Sequence, residues 1–97
     1  MPTYITLMKW TEKGISAIKG SPARLDAGKE GFKKAGMEIK ETFLTMGRYD
    51  LVCVIEAPDD ETAASVLLAA DLLGNIRTQT MRAFTTSEMD KILAKVP

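Results

Sequence analysis

The sequence predicts one α+β domain in the order strand, helix, strand, strand, helix, strand, closed by an extra C-terminal helix. Three observations predict it: four stretches of β-type residues with two-residue alternation, intervening stretches with helical three-and-four spacing, and capping or turn residues at the junctions. At 97 residues the chain has room for one core, so a single domain over 1–97 is expected.

The first strand is expected from Thr3 to Trp10, with Ile5 and Leu7 on one face and Tyr4, Thr6, Met8 and Trp10 on the other. Thr11 caps a short helical turn carrying Ile15 and Ile18. The helix restarts with Ser21 as N-cap and Pro22 at the first helical position, and Gly36 ends it. Leu25, Phe32 and Ala35 lie near one stripe of this helix, which Gly28 and Gly31 each weaken by up to about 1 kcal/mol relative to alanine. A second strand is expected over Met37 to Met46, with Ile39, Glu41, Phe43 and Thr45 alternating against its other residues. Gly47 and Arg48 then suit a two-residue type II′ hairpin into a third strand, Tyr49 to Glu56. That register places Glu41 opposite Val54.

Asp59 caps the next helix, Asp60 and Glu61 complement its dipole, and Ala63, Val66, Leu67 and Ala70 form its apolar stripe before Gly74 stops it. Ile76 to Phe84 alternates as a fourth strand, setting Thr78, Thr80 and Arg82 against Arg77, Gln79, Met81 and Ala83; Met81 and Ala83 suit a helix-covered side. Thr85 to Glu88 is a capping-box pattern, and Met89, Ile92, Leu93 and Val96 stripe the last helix.

This order is the split βαβ arrangement of ferredoxin-like folds, an antiparallel sheet whose right-handed crossovers put both main helices on one face. The other face is left bare, with a projected area of roughly 500 Å². With Tyr4, Met8, Trp10, Phe43, Val52 and Val54 assigned to it, that face matches the largest apolar patches monomers expose, and a second copy of the chain is the simplest cover. A homodimer or higher multiple is expected.

Thirteen basic residues balance thirteen acidic ones and are scattered, which argues against nucleic-acid or membrane partners. The longest strongly apolar run, Leu51 to Ile55, is far too short to span a bilayer, and no signal pattern opens the chain, so a cytoplasmic location is expected. There is no histidine, and the single Cys53 reads as a small core residue; no metal site and no cofactor are expected.

Gly47-Arg48-Tyr49-Asp50, followed by an apolar strand and Glu56-Ala57-Pro58-Asp59-Asp60, resembles the GYD-domain family. The opening Tyr4 to Ile15 and the segment Gly74 to Thr85 resemble it too, so the likeness covers nearly the whole chain. It implies the dimeric α/β-barrel group, in which two ferredoxin-like sheets pack face to face around a cavity. That group includes ligand-sensing domains of leucine-responsive regulators and small cofactor-free or heme-degrading oxygenases. A shared fold carries many chemistries, so the resemblance bears on architecture more than on activity.

Three functions follow as expectations. The leading one is a small-molecule-binding homo-oligomer with its ligand between the paired sheets, held by Tyr4, Thr6, Trp10, Asp50, Thr80 and Arg82. The second is a cofactor-free oxygenase or isomerase using Asp50, Tyr49 or Glu41 as a base; the missing histidine excludes heme degradation with a histidine axial ligand from this chain. The third is a structural or assembly adaptor. Asp50, at the head of an apolar strand, needs a partner, either Arg82 or a backbone amide near the hairpin.

Overall fold

A computed structural model of the chain describes residues 1–97. Its elements are β1 (Thr3–Trp10), α1 (Glu12–Ser16), a 3₁₀ turn (Ile18–Gly20), α2 (Ser21–Lys34), β2 (Glu38–Leu44), β3 (Leu51–Glu56), α3 (Asp60–Leu72), β4 (Ile76–Ala83) and α4 (Thr86–Leu93). The strands form one antiparallel sheet in the order β2-β3-β1-β4, as the split βαβ pattern requires.

The local signals act largely as read. Thr11 accepts from the Gly14 amide, Asp59 from Thr62, and Thr85 and Glu88 close a capping box. Gly36 and Gly74 end α2 and α3 at φ 77° and 82°. Ser21 does not cap α2: the 3₁₀ turn runs straight into the helix, so Gly20 takes the cap position without a side-chain bond and Ser21 becomes its first residue. Strands β2 and β3 are shorter than predicted, because pairing ends at Leu44 and Leu51.

The hairpin register is the predicted one, with Leu44 opposite Leu51, Phe43 opposite Val52 and Glu41 opposite Val54. Its tip is not a tight two-residue turn. The ladder closes with the Thr45 amide on the Asp50 carbonyl at 2.8 Å, the Thr45 hydroxyl holds the Tyr49 carbonyl at 2.6 Å, and Gly47 bends the tip at φ 111°. A bulge between Ile39 and Glu41 breaks the simple alternation of β2: Ile39 pairs with the buried Ile55, whereas Glu41 pairs with Val54 on the other face.

The core lies between the sheet and the two long helices. Tyr4 and Met8 of β1, Cys53 and Ile55 of β3, Phe32 of α2, and Ala63 and Leu67 of α3 are buried together. Both long helices therefore cover one face, and no segment covers the other. Thr6 is fully buried on the covered face and bonds the Thr80 hydroxyl at 3.0 Å, which satisfies the one buried polar side chain of the core.

A clamp joins α1 to the end of α3. The Thr11 amide meets the Asn75 carbonyl at 3.1 Å, and the Lys13 ammonium caps the Leu73 carbonyl at 2.9 Å. Gly14 sits under this clamp, where an added Cβ would lie 2.0 Å from the Asn75 oxygen. Gly14→Ala should therefore cost at least about 2 kcal/mol in urea-unfolding stability, since backbone must move to admit one methyl. An unchanged midpoint would show that the clamp is loose.

Candidate functional site

The Gly47–Asp50 motif works as a staple between strands. Asp50 follows the bend, its amide donates to the Met8 carbonyl at 2.9 Å, and its carboxylate accepts the Trp10 amide at 3.0 Å. Its carbonyl meanwhile receives the Thr45 amide. One residue thus ties the end of β2, the head of β3 and the C-terminal end of β1. The sequence asked for a partner for this carboxylate, and the backbone alternative is the one realised. Arg82 lies elsewhere. Tyr49 reaches from the same bend to β4, where its hydroxyl donates to the Gln79 amide oxygen at 3.0 Å. The base candidates accordingly stand apart: Asp50 at the end of β1, Tyr49 against Gln79, and Glu41 exposed opposite Val54.

The predicted ligand residues fall into two groups, and their facing must be corrected. Tyr4 pairs across the sheet with Arg82, Thr6 with Thr80, and Trp10 with Ile76, but all lie on the helix-covered face rather than the bare one. Met8 and Thr78 go with them, while Met81 and Ala83, expected under the helices, lie on the open face opposite Ile5 and Thr3. Both faces of β1 and β3 carry apolar residues, so alternation separates two sets without saying which one the helices cover.

On the covered face Tyr4, Thr80 and Arg82 line a cavity of about 470 Å³ beside α3, together with Asp60, Asp71 and Thr78. Its polar groups mostly bind one another. The Tyr4 hydroxyl donates to the Asp60 carboxylate, the Thr78 hydroxyl to Asp71 at 3.2 Å, and Arg82 to the carbonyls of Thr3 and Ala83. The exception is the other Asp71 oxygen, buried and without a partner. Arg82 also lies 4.4 Å from the Phe84 ring centre and 3.7 Å from the Glu88 carboxylate, so it anchors the base of α4. Burial, reinforced by the bond to Asp60, pushes the Tyr4 phenol up to about 12. Burial also raises the Cys53 thiol, as expected for a core cysteine.

The open face has a different character. Ile5, Leu7, Val52 and Val54 form its half-buried centre, and Phe43 and Met81 flank them at 50% and 43% exposure. Lys9, Arg77, Glu41 and Glu56 occupy its ends and edges. The sequence assigned Phe43, Val52 and Val54 here correctly; it missed Ile5, Leu7 and Met81, whose pairing with Val54, Val52 and Ile5 identifies them only once the register is known.

Fold and motif together define a ferredoxin-like α+β domain with helices on one side of its sheet. A family model described as the GYD domain matches residues 4–93, and the chain belongs to this family. A Thermus thermophilus protein named glutamine synthetase and cystathionine beta-lyase binding protein is 29% identical over 90 residues, covering 92% of this chain and 95% of its own length. Among solved structures, a Thermus thermophilus protein aligns at TM-score 0.56 and 24% identity, over 89% of this chain and 96% of its own. The Mycobacterium tuberculosis leucine response regulatory protein aligns at TM-score 0.58 and 12% identity, over 88% of this chain and 51% of its own. These structural likenesses concern the fold. No helix of the chain is long and apolar enough to cross a membrane.

If Asp50 is the staple described, Asp50→Ala should cost about 1–3 kcal/mol, because it strands the Trp10 amide. Asp50→Asn, which keeps an acceptor oxygen, should cost less. Equal losses in chemical denaturation would show that the carboxylate's charge, not its hydrogen bond, carries the effect.

Proposed function

We propose that the chain is a protein-docking module whose open sheet face is covered by a second copy, and whose assembly binds larger enzymes. The observation that carries this reading is the size of the uncovered surface. The folded chain exposes 6703 Å², about 1,200 Å² more than a monomeric protein of this mass normally does. A standard interface takes about 800 Å² from each partner, so one such contact accounts for most of the excess. The radius of gyration, 14.6 Å against about 12.5 Å for a compact chain of this length, points the same way.

The open face is suited to the contact. Its centre is aliphatic and aromatic, its charges sit at the rim, and a two-fold axis would set like strands of the two sheets against each other. Helix α4 offers a further surface: Met89, Ile92 and Leu93 stand exposed on it, fixed at its base by the capping box and the Arg82–Glu88 pair. The name of the Thermus thermophilus relative supports protein partners over a small substrate, and it makes glutamine synthetase and cystathionine beta-lyase the enzymes to try. The expected ligand site between paired sheets loses its polar lining, because Tyr4, Thr6, Thr80 and Arg82 face the helices.

Val54→Lys places a charge at the centre of the face without touching the core. Sedimentation velocity should show a wild-type multimer and a monomeric variant with unchanged circular dichroism. Purified glutamine synthetase or cystathionine beta-lyase should bind the wild type and bind the variant at least about tenfold more weakly. A monomeric wild type at micromolar concentration would remove self-association from the reading, and failure of both enzymes to bind would remove docking on them.

A further inference from the structure

The two long helices do not close over the sheet. Between them, above the C-terminal end of β1, lies a cleft of about 640 Å³, within the range of small-molecule sites and far larger than packing voids. Met8 and Ile76 of the sheet and Phe32 and Leu67 of the helices belong to its apolar lining. It is open for a reason legible in the residues. Beside larger apolar residues such as Leu25 and Val66, the helix walls carry Ala27, Gly28 and Gly31 on α2 and Ser65, Ala69 and Ala70 on α3, whose short side chains leave space in the gap. A Cβ built on Gly28 or on Gly31 would meet nothing within 4 Å. The chain's own last helix cannot fill the space. It leaves β4 at Ala83, while the cleft lies at the Ile76 end, roughly 25 Å away along the strand.

One cation marks the cleft's α1 end. Arg24 lines it half-buried, its guanidinium held by the Ala17 carbonyl at 3.0 Å and the Gly14 carbonyl at 3.5 Å. Both contacts are to neutral oxygens. The ion pairs of the chain involve only Lys40 and Arg82, so Arg24 has no anionic partner. A guanidinium fixed in orientation with donors to spare is a carboxylate receptor, and an apolar cleft beside it takes a hydrocarbon body.

We propose that the α2–α3 cleft binds an amphipathic monocarboxylate of the medium-chain fatty-acid class, its carboxylate on Arg24 and its chain over Met8, Phe32 and Ile76. The site is independent of the open sheet face, since it lies on the opposite side of the sheet. Gly28 and Gly31, which weaken α2 as a helix, are explained as the positions that keep the cleft open.

The test is titration with decanoate and separately with decanol, each below its aggregation limit, followed by calorimetry and by amide shift changes. Decanoate should bind with shifts at Gly28, Gly31, Phe32 and Val66, and decanol at least about tenfold more weakly. Arg24→Ala should weaken decanoate by a similar factor and leave decanol unchanged. Gly31→Leu should abolish binding of both while raising the melting temperature, which shows that the variant folds. The proposal is overturned if the wild type binds neither probe, if Arg24→Ala affects both equally, or if Gly31→Leu retains decanoate. Should Gly31→Leu dissociate an assembly in which the wild type takes no decanoate, the cleft is a contact between copies and the ligand assignment falls.

Discussion

Two crossover connections place α2 and α3 on the same face of a four-stranded sheet, and this one-sided cover is the constraint from which the rest of the structure follows. The central strands β1 and β3 are apolar on both faces, so covering one leaves Ile5, Leu7, Val52 and Val54 facing out. Burial in the single chain is modest, with 11 of 97 residues buried, because one face is open and the two helices leave a cleft over the other. A single copy therefore leaves part of its apolar surface exposed. The proposed self-association through the open face would bury that surface.

Hydrogen bonds then hold the sheet where packing is thin. Asp50 joins three strand ends, and its position after the Gly47 bend explains why glycine, tyrosine and aspartate occur together: the first permits the bend, the second reaches β4, the third completes the β1 ladder. On the covered side the polar residues are also structural. Tyr4 pairs with Asp60 and Thr78 with Asp71, tying β1 and β4 to α3, while Arg82 holds the Thr3 carbonyl and Glu88 and so ties β4 to β1 and to the root of α4. The surfaces left for partners are the open face, α4, and the cleft that short residues hold apart between α2 and α3.

Much of this was legible in the sequence. Element order, the caps at Thr11, Asp59 and Thr85, the glycine stops and the hairpin register all follow from local chemistry that tertiary contacts do not override. Facing was not legible. On β1 hydropathy points the wrong way, since Ile5 and Leu7 are more apolar than Tyr4, Thr6 and Met8 yet the helices cover the latter set, and the bulge at Lys40 turns Ile39 and Glu41 to opposite faces despite their two-residue spacing. The candidate site shifted accordingly: Thr6, Thr80, Tyr4 and Arg82 do gather, but beneath the helices. The cleft was hidden because periodicity marks which stripe of a helix is apolar, not how closely two helices approach. Its one sequence signal is a pair of glycines inside α2 that no turn requires.

The central claim, that the apolar open face is the surface buried between copies, is tested most directly by isotope-filtered nuclear Overhauser spectroscopy on a mixture of carbon-labelled and unlabelled chains. Intermolecular contacts are expected among the methyl groups of Ile5, Leu7, Val52, Val54 and Met81. Intermolecular contacts confined to α4 or to the helix-covered side, with those methyl groups silent, would contradict it.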